Sequence, residues 1–415
     1  MSHPTQDGFF VLKIGEKHNI LFHILNIERD ILLHLPQKSN PQRVGDKETL
    51  PTKQMKTLKI GDLLARVPIV QGGMGVGISL SGLASAVANA GGVGVISTAG
   101  LGVIYNEFSK NFNEASIHGL REELRKAREA TKGIVGVNIM VALTNFADMV
   151  RTSIEEKADI IFSGAGLPLN LPSFLKEGSK TKLVPIVSSA RALKVICRRW
   201  IGEWGYVPDA VVVEGPKAGG HLGYSNEQLQ DPAYSLEAVV PEVVAAAREI
   251  GEQHGRYIPV IAGGGIFTGE DIHNIMALGA DAVQMGTRFV ATEECDASPL
   301  FKQSYIDAQR EDIEIIQSPV GMPGRAVHNS FLEKVKQGLK QPKSCPFNCI
   351  KTCDVTHSPY CIMLALYNAF KGKMENGYAF AGENAWRCDK ILSVKELISS
   401  LKAEFEAKVL SLEGR

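Results

Sequence analysis

The feature that most constrains the fold of this chain is a series of eight short apolar runs separated by segments with helical periodicity. The runs are "PIVQGGM" (68–74), "VGVIST" (93–98), "IVGVNIMV" (134–141), "DIIFSGAG" (159–166), "KLVPIVSS" (182–189), "DAVVVEG" (209–215), "IPVIAGGG" (258–265) and "DAVQMGTRFV" (281–290). Their apolar residues are continuous rather than alternating, which indicates strands buried on both faces and therefore a parallel sheet. Eight β-then-α units over about 220 residues predict an α/β fold of the (β/α)8 barrel type. A doubly wound open sheet is the alternative, because periodicity alone does not show closure.

The 415 residues divide into three parts. Residues 1–54 form an N-terminal extension, which we expect to be poorly ordered or to form an amphipathic partner-binding helix. Residues 55–300 form the barrel, which begins at a second methionine, Met55. Residues 301–415 form a C-terminal helical region that contains a cysteine cluster at 345–361.

The charge balance and the apolar runs restrict the class of partner. Lys+Arg and Asp+Glu both number 45, so the formal net charge is zero and a general attraction to nucleic acid or to an anionic membrane is not expected. No apolar run reaches the roughly 18 residues that a bilayer requires, and the N-terminus lacks a signal-peptide pattern. We predict a cytoplasmic protein that acts on a small molecule, with no nucleic-acid or membrane partner. Barrels with added helices often form dimers, so a homodimer is also expected.

The last two strand candidates end in patterns that suit a phosphate. In a (β/α)8 barrel the active site lies at the C-terminal ends of the strands, and the turns after strands seven and eight often bind phosphate. Here these turns are "AGGG" (262–265) and "QMGT" (284–287), whose glycines allow close approach to backbone amides. Thr268, with Asp271 three residues on, is a predicted N-cap and starts the next helix.

Two further features indicate that the ligand has a planar group in addition to its phosphate. "QGGMG" (71–75) lets a planar group approach the backbone, with Met74 available to pack against it. Asn138 lies on a buried strand, where an unpaired amide costs roughly 1–3 kcal/mol, so it needs a hydrogen-bond partner. Flavin mononucleotide (FMN) has this combination of shape and polarity. A flavin-free phosphate-binding lyase or isomerase and a non-catalytic flavin or metal sensor are the alternatives.

Six segments of the chain resemble one family of flavoenzymes. "PIVQGGMG", "GGVGVIST", "VNIMV", "AGGHLG", "PVIAGGGI" and "GADAVQMGTRF", found in this order, are similar to the nitronate monooxygenase (2-nitropropane dioxygenase) family of FMN-dependent barrels. That family also includes NAD(P)H-dependent quinone reductases and flavin-containing enoyl-acyl-carrier-protein reductases. The resemblance implies flavin contacts from Gly72, Gly73, Met74 and Asn138. It implies contacts to the ribityl-phosphate from Gly219, Gly220, Gly263, Gly264, Gly265, Gln284, Gly286 and Thr287.

The resemblance also makes His221, in "EGPKAGGHLG" (214–223), the active-site histidine. Its first implied reaction is the oxidation of alkyl nitronates or nitroalkanes with O2. An imidazole with a pKa near 6.5 suits removal of the proton α to a nitro group, or it positions a nitronate that arrives as an anion. The alternative is an NAD(P)H-dependent reductase of enoyl thioesters or quinones, in which His221 donates a proton or orients the thioester carbonyl.

Four cysteines of the C-terminal region are closely spaced. Cys345, Cys349, Cys353 and Cys361 lie within 17 residues, at spacings x3, x3 and x7. In a cytosolic protein such a cluster suggests metal binding. An iron–sulfur cluster of the 4Fe–4S type is one interpretation, and a zinc site with His357 as a substitute ligand is another. Reduced cysteines with structural or redox-sensing roles are the third.

Overall fold

The computed structural model describes residues 54–414, and residues 1–53 of the predicted extension lie outside the described residues. Its centre is a closed barrel of eight parallel strands. In chain order, barrel strands one to eight are Ile69–Gln71, Val93–Ser97, Ile134–Met140, Ile160–Gly164, Lys182–Val187, Val211–Glu214, Val260–Gly263 and Ala282–Met285. Strand eight pairs with strand one, with Val283 opposite Ile69. The predicted (β/α)8 barrel is confirmed, and the open-sheet alternative is wrong.

Each barrel strand is buried on both faces, which explains why its apolar run is continuous. Val212 and Ile261 face the barrel interior, whereas Val211 and Val213 pack outward against the surrounding helices. Before the barrel, an antiparallel hairpin of Leu58–Ile60 and Leu63–Ala65 packs its apolar side chains with the interior residues. This hairpin therefore covers the N-terminal end of the barrel and leaves the C-terminal end for a site.

α-Helices follow seven of the eight strands, and only a 3-10 helix, Leu171–Phe174, lies between strands four and five. The α-helices are Ser81–Asn89, Leu101–Ile104, Phe112–Ala130, Phe146–Glu155, Ala190–Trp204, Leu236–Gln253, Gly269–Ala277 and Thr287–Val290. The predicted N-cap is confirmed, because Thr268 and Asp271 form a capping box at the start of Gly269–Ala277. The last apolar run, predicted as 281–290, changes from strand to helix after Met285. No helix within residues 54–414 is long and apolar enough to cross a membrane.

The C-terminal region contains the expected helices and, in addition, a hairpin that the sequence analysis did not predict. The helices are Pro299–Asp307, Ser330–Lys336, Ile362–Phe370 and Val394–Glu413. The hairpin strands Ile313–Gln317 and Pro323–Val327 pair antiparallel, and Gly220–His221 adds a third strand beside Pro323–Val327. Short strands, one of them beginning Pro-Gly, give a weak strand pattern in sequence, which is why the hairpin was missed.

A buried arginine fastens this hairpin to the loop after strand six. The Arg325 guanidinium donates hydrogen bonds to the carbonyl oxygens of Pro216 and Ala218, at 2.7 and 2.6 Å. The Leu222 N–H donates to the Pro323 carbonyl at 2.9 Å, next to the paired strands. The loop that carries the predicted active-site histidine is thus held by the C-terminal region.

The close contact between strand two and the helix before it provides a test of the fold. A methyl group at Gly94 would collide with the carbonyl oxygen of Ala84 in Ser81–Asn89, whereas one at Gly202 would meet no atom within 4 Å. We expect Gly94→Ala to lower the free energy of unfolding by about 3 kcal/mol. Gly202→Ala, in a helix, should be neutral or raise it by up to about 1 kcal/mol. Urea denaturation measures both, and equal stability of the two variants would contradict this packing.

Candidate functional site

A cavity of about 400 Å³ opens at the C-terminal ends of the barrel strands. All eight strand ends contribute to its lining, and residues 380–384 of the C-terminal region form part of its wall. The predicted site residues that line it are Gly72, Gly73, Met74, Asn138, Gly219, Gly220, His221, Gly264, Gly265, Gln284, Gly286 and Thr287. Gly263 lies in strand seven beside Gln284 and does not line the cavity. The structure therefore brings these positions together, with that one exception.

Three polar side chains face the cavity without a partner from the protein. Asn138 on strand three, Glu214 on strand six and Gln284 on strand eight all line it. Within residues 54–414, none of these three side chains makes a hydrogen bond or an ion pair. All three are half-buried and face the cavity, so their donors and acceptors are available for a bound molecule. This fits a ligand with several polar groups along one edge, such as FMN.

The glycine turns at strands one and seven keep the backbone close to the cavity. A Cβ at Gly73 would collide with the Asn138 side chain, which shows how tightly the two strand ends approach each other. Gly264 has a φ of +102°, and a Cβ there would lie 2.8 Å from the Gly215 carbonyl oxygen. A side chain at Gly264 would strain the backbone, and one at Gly73 would displace the Asn138 side chain.

The helix after strand seven does not offer its N-terminus to the cavity. The backbone N–H groups of Phe267 and Thr268 both donate to the Asp271 carboxylate, at 2.9 Å. The Gly269 N–H donates to Glu404 of the C-terminal helix at 2.7 Å. The backbone amides that remain for a phosphate are those of the glycine turns at Gly264, Gly265 and Gly286. The expected phosphate site is therefore limited to these turns.

The predicted active-site histidine is fixed by the C-terminal hairpin. His221 pairs with Gly324, and its Nε2 lies 2.7 Å from the Ser318 hydroxyl oxygen. Its ring contacts the edge of Phe380, with the centroids 5.0 Å apart. The Val320 N–H donates to the Ser318 oxygen at 3.3 Å, and the hydroxyl keeps a proton that it can donate to Nε2. When Ser318 donates in this way, Nδ1 carries the ring proton.

Burial changes the acid–base character expected of this histidine. The sequence-based expectation was a pKa near 6.5, but burial lowers the pKa of His221 to about 4. The imidazole is therefore neutral at neutral pH and is a weaker base than a solvent-exposed one. It is suited to hydrogen bonding rather than to removing a proton from carbon.

Sequence reasoning missed two cavity residues and one partner. Glu214 ends the valine run of strand six. An acid at the C-terminal end of a buried barrel strand indicates a side chain that faces the active site, and this could have been predicted from the sequence. Phe380 and the buried Ser318 gave no such signal, because they reach His221 only through the unpredicted hairpin and the segment that follows it.

The four clustered cysteines form no metal site in this structure. Within residues 54–414, no three or more His, Cys, Asp or Glu side chains are grouped so as to hold a metal ion. Cys345 is exposed, Cys349 buried, and Cys353 and Cys361 half-buried, all as free thiols. Burial, with a smaller effect of the neighbouring thiols, raises the pKa of Cys349 to about 12, so this thiol is protonated at neutral pH. The structure does not support the predicted iron–sulfur or zinc site.

The cysteine segment instead packs on the loop after strand three. The Thr144 N–H donates to the Cys349 carbonyl at 3.1 Å, and the Lys351 N–H donates to the Ala142 carbonyl at 3.0 Å. Cys349 and Tyr360 belong to one apolar cluster of this region. The segment therefore has a packing role at the rim of the barrel.

The closed barrel has a glycine-lined cavity at the strand ends and a half-buried histidine beside it, which is the usual place for the active site of a (β/α)8 enzyme. The family model for nitronate monooxygenase matches residues 56–404, so the chain belongs to this family and is a flavin-dependent oxidoreductase.

Three relatives illustrate the range of this similarity. A (3aS,4S,5R,7aS)-5-hydroxy-7a-methyl-1-oxo-octahydro-1H-indene-4-carboxyl-CoA dehydrogenase of Mycobacterium tuberculosis is 28% identical, over 66% of this chain and 66% of that protein. A protein named "Probable nitronate monooxygenase" from Staphylococcus saprophyticus is 26% identical, over 68% of this chain and 82% of its own. The structure of FabK from Thermotoga maritima is 30% identical with a TM-score of 0.64, over 84% of this chain and 95% of that one.

Two glycines of the strand-six loop test the cavity wall. A Cβ at Gly219 would lie 2.6 Å from backbone atoms of Ala381 and Gly382, whereas one at Gly223 would make ordinary contacts with Ser188 at 3.5 Å. We expect Gly219→Ala to weaken flavin retention about tenfold, because the loop must shift away from the cavity wall. Gly223→Ala should retain flavin like the unaltered protein. Flavin content after dialysis measures the effect, and full retention by the Gly219 variant would show that this loop position does not matter for the site.

Proposed function

We propose that this chain is an FMN-dependent oxidoreductase that oxidises alkyl nitronates with O2. The observation that carries the proposal is the neutral His221–Ser318 pair, which lies at a cavity where Asn138, Glu214 and Gln284 make no side-chain hydrogen bond within residues 54–414. Membership of the nitronate monooxygenase family supports the same reaction.

The chain offers a consistent set of groups for FMN. Asn138 and Gln284 would hydrogen-bond the polar edges of the flavin, and the turns at Gly264 and Gly286 would hold the phosphate. Met74 would pack against the ring system. Bound FMN supplies the two-electron acceptor for the substrate and, when reduced, the donor to O2.

His221 would bind the nitronate rather than generate it. With Nε2 engaged by Ser318, the Nδ1–H is left to donate a hydrogen bond to a nitronate oxygen. An imidazole whose pKa is about 4 accepts a proton from a carbon acid poorly, so a neutral nitroalkane would react slowly. The substrate form favoured by this site is therefore the preformed anion.

A second candidate is the reduction of an enoyl thioester with NAD(P)H as the source of electrons. The cavity is roomy, and its wall includes the apolar side chains of Met322, Leu366 and Phe380, which would suit an acyl group larger than a small nitronate. The names of two relatives, FabK and a carboxyl-CoA dehydrogenase, favour the same class. In this reaction His221 would donate its hydrogen bond to the thioester carbonyl. Quinone reduction with the same nucleotides would use the site similarly.

One experiment separates the two candidates. Anaerobic stopped-flow mixing of the flavin-loaded protein with propyl-2-nitronate, 2-nitropropane, NADH and NADPH follows the loss of flavin absorbance. We expect the nitronate to reduce the flavin at least about tenfold faster than the nitroalkane, since the site lacks a strong base. Rapid reduction by a nucleotide alone, followed by turnover of an enoyl thioester, would overturn the first proposal in favour of the second.

The contribution of Ser318 to the orientation of His221 is tested by a pair of variants. Ser318→Ala removes the hydroxyl at 2.7 Å from Nε2, and Ser318→Thr keeps a hydroxyl there. Because the loss of one hydrogen bond costs about 1.4 kcal/mol, we expect kcat/KM of the alanine variant to fall about tenfold. The threonine variant should keep kcat/KM near the original value. Steady-state kinetics with the nitronate, at equal flavin content, gives the comparison. An alanine variant with unchanged kcat/KM would remove Ser318 from the proposed site.

A further inference from the structure

Glu214 is an acidic residue on the floor of the cavity. The family resemblance assigns it no contact with the flavin. It is the last residue of strand six, where it pairs with Gly263 of strand seven. Val212, two residues earlier, faces the barrel interior, so alternation along the strand directs Glu214 to the same side. There it lines the cavity.

The Glu214 carboxyl has no partner in the protein. Its backbone carbonyl accepts a hydrogen bond from the Tyr224 hydroxyl at 2.7 Å, but its carboxyl group makes no hydrogen bond or ion pair within residues 54–414. Burial without a compensating donor raises the pKa of Glu214 to about 7. Glu214 is half-buried and faces the cavity, so its carboxyl is available to accept hydrogen bonds from donors that a bound molecule brings.

The neighbouring strand indicates which part of the bound molecule meets this acid. Because Glu214 is in register with Gly263, it lies beside the turn at Gly264 and Gly265 that would hold the phosphate. The part of FMN nearest its phosphate is the ribityl chain, whose hydroxyl groups are hydrogen-bond donors. We propose that Glu214 binds the ribityl hydroxyls of FMN as a carboxylate and so couples FMN binding to the release of a proton. This inference rests on the proposed function, which supplies the cofactor.

The other titratable and charged groups around Glu214 come from three segments. On the hairpin, the buried Arg325 guanidinium bonds the Pro216 and Ala218 carbonyls and lies 3.6 Å from the Glu383 carboxylate. On the loop after strand six, Lys217 and Tyr224 lie on either side of the neutral His221. Burial raises the pKa of Tyr224, so its hydroxyl is uncharged. Glu383 of the C-terminal wall lies 3.8 Å from the Lys217 ammonium, at the rim. Strands five and seven contribute Ser188 and glycines, which carry no charge.

The direction of the pH dependence follows from these positions. Without FMN, Glu214 is about half protonated at pH 7. Hydroxyl donors favour the carboxylate and lower its pKa in the complex, so FMN binding becomes tighter as the pH rises. The second ionisation of the FMN phosphate, near pH 6, also affects binding, but it is common to the original protein and its variants.

The test compares FMN dissociation from the full-length, flavin-loaded protein and from Glu214→Gln. Equilibrium dialysis at pH 6 and pH 8, with released FMN read by fluorescence, gives a dissociation constant for each. We expect the ratio of the original protein's constant to the variant's to fall about tenfold from pH 6 to pH 8. Glu227→Gln is the matched control, because Glu227 is an acid on the loop after strand six that bonds the Ser225 hydroxyl and does not line the cavity. It should keep the pH dependence of the original protein.

Each other outcome counts against the inference. A ratio that does not change with pH would overturn the role of Glu214 while leaving FMN as the cofactor. A ratio that rises with pH would mean that the protonated acid donates to the ligand, which also contradicts the proposal. If neither protein binds FMN at either pH, both this inference and the proposed function are wrong.

Discussion

The site depends on the pairing of Gly220–His221 with the strand Pro323–Val327. A loop after a barrel strand has no regular partner of its own, and here the C-terminal hairpin provides one. The buried Arg325 secures the contact through two carbonyl oxygens of that loop. Ser318 is the first residue of the turn between the two hairpin strands. The hairpin therefore provides both the backbone pairing with Gly220–His221 and the hydrogen bond to Nε2 of His221. The position and the tautomer of the histidine therefore come from outside the barrel.

The barrel itself supplies a contrast between its layers. Below the cavity, the interior is filled by apolar side chains such as Val70, Phe162 and Ile261. At the cavity floor the polar side chains of Asn138, Glu214 and Gln284 take the place of these apolar ones. Within residues 54–414 they make no hydrogen bond or ion pair. A protein interior tolerates such groups when a ligand completes their hydrogen bonds. The site is thus prepared for a polar, planar cofactor, and the family assignment agrees with that chemistry.

The barrel and most of the cavity could be predicted from the sequence because both follow from local patterns. Continuous apolar runs identified all eight strands, and Asn138 stood out as an amide within such a run. The hairpin was missed because its strands are short and their pairing with residue 221 spans about a hundred residues, which no local pattern reports. The lowered pKa of His221 was missed for a related reason, since burial depends on Phe380 and other distant residues.

The cysteine spacing predicted a metal site that residues 54–414 of the structure do not support. A four-thiol pattern in sequence is compatible with a metal, but the backbone of this segment pairs with the loop after strand three, and Cys345 is exposed while Cys349 is buried. Spacing describes which ligands could meet, whereas the packing of the segment decides whether they do.

The wall formed by residues 380–384 and the hairpin means that the cavity is built from two stretches of the chain. Most of the groups that would hold the cofactor lie on the barrel, whereas Ser318, Met322 and Phe380 belong to the second stretch. The two stretches meet where the Gly382 N–H donates to the Thr287 hydroxyl oxygen at 3.2 Å. A substitution at Met322 would therefore change the substrate end of the cavity alone, whereas one at Gly382 would also reach a residue predicted to hold the phosphate.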